Sequence, residues 1–295
     1  MKLNTLLTIT AFCLVLTSCA SPAREVVPTA AATSIATSDI LRFPTSTPTI
    51  TPTPIPTPGD TLYQLDGISF VVPACMALRP TVETVPADPL DPASAPKMFY
   101  PEHRQVTFAG YPLEDSYFEP LLRVFPVEEF AAMSELTAAS VIGMQELLEL
   151  QVAAEGDFIP LLPDYNMAQV FKARVRFLNF QNGRGVRWLT ELAQYSAAVN
   201  NRDLFYSYQG LTADGRYWVS VMLPVNAAYL QETWDSTEVP PGGLAHPAAG
   251  SPGLDGLLEE YYRLMLIMLE NTPDAGFTPA LDCLDGLAAS ITISQ

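Results

Sequence analysis

FKARVRFLNFQNGRGVRWLT (171–190), followed after a short interval by NNRDLFYSYQGLTADGRYWVSVMLPV (200–225), decides the fold. Phe171, Ala173, Val175 and Phe177 alternate with Lys172, Arg174 and Arg176. In an extended chain successive side chains point to opposite faces, so this period of two predicts a half-buried strand. Asn182-Gly183 marks a turn, and Val186 to Tyr195 is the returning strand. Asn200-Asn201 makes the next turn, Leu204 to Gln209 the third strand, Asp214-Gly215 another tight turn, and Tyr217 to Leu223 the fourth strand. Strands joined by such short turns pair antiparallel in sequence order, as a meander.

Working outward, Ile68 to Val72, Gln105 to Ala109 and Leu121 to Phe125 are further strand candidates. Helical spacing predicts one helix over Glu128 to Gln151, with Val141, Met144, Leu148 and Val152 on a face, and another over Asp255 to Glu270. The second is apolar all round from Leu264 to Leu269, which predicts burial between layers. A short helix from Pro279 to Ala288 and a closing strand from Ser290 to Ile293 complete an α+β class: an antiparallel meander sheet with helices packed on it. Two Pro-rich stretches, Arg79 to Glu102 and Asn226 to Gly253, resist assignment and read as functional lids or excursions.

The chain has 295 residues, and the organisation expected is an export signal over 1–18, a lipidated linker over 19–60 and one globular domain over 61–295. Met1-Lys2 is a short positive region, and Leu3 to Thr17 is apolar with small interruptions, the build of a secretory signal. Leu16-Thr17-Ser18-Cys19 resembles the lipobox of bacterial lipoproteins. That resemblance implies cleavage before Cys19 and attachment of palmitate-type acyl chains to it, so the membrane becomes a partner through the anchor. Several chains hold stably, at about 0.8 kcal/mol per buried methylene. Pro44 to Pro58 contains six Pro, six Thr, one Ser and two Ile, a composition that cannot pack a core and favours polyproline II. A disordered spacer is the plain reading. A net charge of −17, from 32 acidic and 15 basic residues, opposes attraction to nucleic acid and to anionic headgroups.

With Cys13 in the signal and Cys19 lipidated, the body keeps Cys75 and Cys283. Two thiols outside the cytosol predict one disulfide, worth on the order of 5 kcal/mol in the chain-entropy picture. The alternative is two separately buried thiols. No metal is expected, because two cysteines and the distant His103 and His246 give no ligand spacing. Both histidines fall in Pro-rich surroundings and read as solvated.

FLNFQNGRGVRWLT (177–190), NNRDLFYSYQGLTADGRYWVSVMLPV (200–225) and LDCLDGLAASITI (281–293) resemble segments of uncharacterised bacterial surface lipoproteins with Thr/Pro-rich linkers. That resemblance brings no activity with it. More faintly, Gly67 to Pro73 as a first strand, with a last helix running into Ser290 to Ile293, is similar to the layout of PsbP/Mog1-like α/β/α sandwiches. This resemblance implies a non-catalytic binding or assembly-support role.

Catalytic signatures are absent from the sequence: no G-x-S-x-G elbow, no HExxH, no Walker A loop and no GxGxxG run, so no catalytic residue and no cofactor is named. Among 32 acids no pair can be chosen for glycoside hydrolysis. Seven of the fifteen basic residues lie between 172 and 216, beside only three acids. Arg174, Arg176, Arg187 and Arg216, with Trp188, Tyr206, Tyr208 and Trp218 on neighbouring strands, form a candidate face for an anionic or sugar ligand through charge and stacking. The plainer reading places the aromatics in the core and pairs the arginines with the protein's own acids. The function expected is a non-catalytic binding or assembly module, tethered to a membrane outside the cytoplasm. The alternative is a cell-envelope glycan hydrolase, for which two close carboxyls in a deep cleft would be the sign.

Overall fold

The computed structural model describes residues 59–89, 98–153 and 158–294. The expected signal, the lipidation site Cys19 and the linker as far as residue 58 lie outside the described residues. In chain order the strands are β1 (Thr61–Leu65), β2 (Ile68–Val72), β3 (Arg79–Val85), β4 (His103–Ala109), β5 (Leu121–Pro126), β6 (Ala168–Gln169), β7 (Ala173–Phe180), β8 (Gly183–Thr190), β9 (Leu192–Ala193), β10 (Phe205–Thr212), β11 (Tyr217–Pro224), β12 (Asn226–Ala227), β13 (Phe277–Thr278) and β14 (Thr292–Ile293). The helices are α1 (Val127–Ala131), α2 (Glu135–Leu150), α3 (Leu254–Asn271) and α4 (Leu281–Ser290).

Seven strands form one antiparallel sheet in the order β3-β4-β5-β11-β10-β8-β7. Two meanders therefore meet where β5 pairs with β11, and the α+β class expected from the periodicity is the observed one. Strand alternation sorts the core onto two faces. Tyr206, Tyr208, Val219 and Val221 point to one face, where they pack with Tyr261, Met265 and Leu269 of α3 and Leu284, Leu287 and Ala288 of α4. Phe125, Val186, Trp188 and Trp218 point to the other, against Phe130 of α1 and Val141, Met144 and Leu148 of α2. A small sheet of order β1-β2-β14 joins the first face.

Several expectations need correction. The helix expected over Glu128 to Gln151 is two. Ser134 accepts a hydrogen bond on Oγ from the Thr137 amide (3.1 Å) while Thr137 Oγ1 accepts one from the Ser134 amide (3.2 Å). This capping box starts α2 afresh, and such a cap is worth about 1 kcal/mol. Val152 falls beyond the helix, after Gln151 closes it in a left-handed conformation, and is exposed. α3 is not buried between layers: Tyr261, Met265 and Leu269 face the core while Ile267 is exposed. Within Arg79 to Glu102 lies β3, which Pro80 concealed; the strand sits at the sheet edge, where a missing amide is tolerated. β7 breaks strict alternation through a bulge between Ala173 and Arg176, with Arg174 at φ 57°. His103 opens β4 and is buried between Tyr100 and Phe125, not solvated.

The predicted disulfide is present. Cys75, just after β2, is bonded to Cys283 of α4. No described helix is long and apolar enough to cross a membrane.

Candidate functional site

The expected arginine and aromatic set does not assemble on one surface. Tyr206 and Tyr208 are buried on the α3/α4 face, while Trp188 and Trp218 are buried on the α1/α2 face. Arg187 and Trp188 are consecutive in β8, and alternation sends them to opposite sides. Tyr206 Oη donates to Asp285 Oδ1 (2.9 Å), Tyr208 Oη donates to the Leu178 carbonyl (2.9 Å), and the Trp218 indole donates to Gln209 Oε1 (2.6 Å). Burial pushes both tyrosine hydroxyls well above their ordinary pKa. Arg187 Nε donates to Asp285 Oδ1 (3.1 Å) and Arg176 Nη1 to Asp285 Oδ2 (3.1 Å). Arg174 pairs with Asp274 and donates its amide to Glu270 Oε1 (2.5 Å). Arg216 stays exposed at the β10–β11 turn, 5.9 Å from the Tyr217 ring. The arginines on this face are spent on the protein's own acids, and the aromatics are core.

A cleft lies elsewhere, at the end of β8. Its volume is about 310 Å³, and its lining includes Tyr117, Glu191, Tyr195, Arg202, Asp203 and Trp234. That volume sits at the lower end of the range of about 300–1,000 Å³ common for ligand sites. A wider, more open depression of about 740 Å³ shares Met167, Ala193, Gln194 and Tyr195 with it and continues toward Tyr262.

Local structure builds this cleft in steps. β9 pairs with β6, and the Val170 amide donates to the Glu191 carbonyl (2.9 Å), so residues 191–193 are held from one side. Two tyrosines of α3 hold the next segment: the Tyr262 hydroxyl accepts from the Ala197 amide (3.0 Å), and the Tyr261 hydroxyl accepts from the Val199 amide (2.9 Å). Asn200 then turns the chain, its Oδ1 accepting from the amides of Arg202 and Asp203 (3.1 Å each). This turn is stitched on both flanks, the Arg202 carbonyl accepting from the Tyr117 amide (2.8 Å) and the Arg202 amide donating to the Glu232 carbonyl (3.0 Å). Beyond it, Thr233, Asp235 and Ser236 form a hydrogen-bonded turn that presents Trp234.

The rim is aromatic and open. Tyr117, Tyr195 and Trp234 are 55%, 59% and 47% exposed, and the Tyr195 and Trp234 rings meet edge-on with centroids 5.8 Å apart. Apolar rings left in water beside a cleft are costly unless something covers them, and a flat ligand face is what such rings cover.

The floor holds a buried carboxyl. Glu191 is 3% exposed, and its Oε1 accepts a hydrogen bond from the Asn200 amide (2.7 Å). Burial pushes this carboxyl well above the usual carboxylate range; the Asn200 amide opposes the shift and the charge of Asp203 adds to it. Burial thus favours the protonated form of Glu191, the form that can donate a proton or a hydrogen bond. Asp203 Oδ2 in turn accepts from Nδ2 of the same Asn200 (2.9 Å). Among the described residues no group of three or more His, Cys, Asp or Glu could hold a metal ion.

Arg202 is one of the seven basic residues between 172 and 216, but sequence reasoning did not single it out and missed Glu191, Asp203, Tyr195 and Trp234 as a group. The available signals were a lone carboxyl inside the apolar run WLTELA (188–193) and a tryptophan inside a Pro-rich stretch. Comparisons with family models, with curated proteins and with solved structures returned no match to this chain.

Proposed function

We propose that this protein is a membrane-tethered, extracytoplasmic module that binds a glycan in the cleft between β9 and the Trp234 turn. The tether is Cys19, argued from the lipobox-like Leu16-Thr17-Ser18-Cys19, with the Thr/Pro stretch as spacer. One observation carries the ligand class: three half-exposed aromatic rings, Tyr117, Tyr195 and Trp234, surround a cleft whose floor and wall carry Glu191, Asp203 and Arg202. Sugar rings combine an apolar face, which stacks on aromatics, with hydroxyls that exchange hydrogen bonds with carboxyls and guanidinium. Arg202 adds a charge for an acidic substituent on the sugar.

Titration calorimetry of the full chain against cell-envelope oligosaccharides tests this reading. Saturable binding is expected, weakened about tenfold or more by Trp234→Ala, since an aromatic contact contributes about 0.5–1.5 kcal/mol beyond its buried area. Binding that is indifferent to Trp234→Ala, or absent across the panel, would sink it. Cys19→Ala should abolish metabolic lipid labelling and release the protein from the membrane fraction.

A further inference from the structure

We infer that the cleft also cleaves the glycan it holds, with Glu191 protonating the glycosidic oxygen and Asp203 drawing a proton from the attacking water. This rests on the glycan-binding reading above. Two carboxyls line one cleft, and one residue positions both: Asn200 donates its amide to Glu191 and its side-chain nitrogen to Asp203. Asn200 is itself buried, and bridge pairing with Gln231 fixes it. The spacing of the two acids is thus set by a rigid turn, not by two free side chains.

Their environments differ as the chemistry requires. Glu191 is almost wholly buried, and among the described residues its carboxyl makes one hydrogen bond, at Oε1. Oε2 is left for the ligand. Asp203 is half-buried at the same cleft, with the exposed Arg202 beside it in the chain. Burial favours the protonated form of Glu191, and glycoside hydrolysis pairs such an acid with a second carboxyl that acts as base.

The step balances. The Glu191 proton moves to the bridging oxygen as the bond from that oxygen to the anomeric carbon breaks. A water oxygen bonds to the anomeric carbon, and its proton passes to Asp203. Two shorter saccharides leave, and proton exchange with solvent restores Glu191 and Asp203.

The test incubates the full chain with chito-oligosaccharides, malto-oligosaccharides and peptidoglycan fragments, and measures new reducing ends alongside binding by calorimetry. Wild type should release reducing ends. Glu191→Gln and Asp203→Asn should lose turnover about 100-fold or more, a loss far larger than any weakening of binding. Azide, replacing the activated water, should restore turnover to Asp203→Gly and leave a glycosyl azide, a readout that loss of folding cannot mimic. Binding by wild type without release of reducing ends overturns the hydrolytic inference and leaves the binding reading intact. Absence of binding overturns both. Turnover that survives both Glu191→Gln and Asp203→Asn removes these residues from the chemistry.

Discussion

Asp285 and Glu191 are nearly equally buried, at 6% and 3% exposure, yet the chain treats them in opposite ways. Asp285 of α4 receives Arg187, Arg176 and Tyr206, so both of its oxygens are engaged and its charge is answered across the helix–sheet contact. Glu191 receives one amide hydrogen and no cation among its described hydrogen-bond partners. A buried charge is tolerable only when paired and fully hydrogen-bonded. The first carboxyl therefore reads as architecture, and the second as a group whose remaining capacity is kept for something else. Burial alone does not separate structural from functional carboxyls; the number and charge of their partners does.

Breaking the first arrangement should have the largest effect. Asp285→Ala leaves Arg187 buried without its counter-ion, and urea unfolding should show a loss of about 3–5 kcal/mol. A loss below about 1 kcal/mol would mean that the cluster is incidental.

His103 offers an intermediate case, a buried titratable ring with no ion-pair partner among the described residues. Burial lowers its pKa from 6.5 to about 4, outweighing the hydrogen bond with the Pro101 carbonyl. The ring is neutral in the folded protein and protonates more readily when unfolded. Its contribution is therefore intact above pH 6.5 and is lost as pH falls toward 4, by about 3 kcal/mol in all. His103→Phe should flatten that part of the stability–pH curve; an unchanged slope between pH 6.5 and 4 would exclude the ring as its source.

Arg176 should matter far less than Asp285 although it touches it. Its side chain is 57% exposed, so Arg176→Ala should cost less than about 1 kcal/mol in a denaturant titration.

The smallest effect should have the opposite sign. Because the folded pKa of Glu191 lies above its unfolded value, wild type loses stability as pH rises from about 4.5 through the folded pKa. Glu191→Gln removes this dependence and should melt higher than wild type at pH 8, whereas Asp285→Asn should melt lower. Equal melting shifts for the two amide variants would erase the contrast between the sites.

Much of this architecture was legible because it is local. Asp214-Gly215 turns between two strands, with Gly215 at φ 71°, where a glycine is favoured. Ile68 to Val72 is β2 without a residue's error, and the 217–223 strand is β11 less one residue. What escaped depended on partners distant in sequence. The bulge in β7 turns Arg174 toward Asp274, and nothing near residue 174 announces that acid a hundred positions away. The candidate face was misread for a related reason. Alternation along β8 sends Arg187 and Trp188 to opposite faces, which the grouping into one face overlooked, and helices on both faces of the sheet make both sides interior. The cleft was the least legible, because its parts come from residues 117, 191, 202 and 234, each on a different segment.

The Cys75–Cys283 bond has a mechanical consequence. Every strand of the seven-stranded sheet, from Arg79 to Pro224, lies inside the covalent loop it closes. A pull entering from the linker side can peel β1 and β2, paying out about 3.5 Å per residue over the stretch before Cys75. For a load borne on the C-terminal side the tension then crosses the sulfur bridge into α4, and the segments that carry Glu191 and Asp203 lie off that covalent path. If the domain is tethered to a membrane as proposed, its cleft would keep its shape while the tether is stretched, for as long as that one bond stays oxidised.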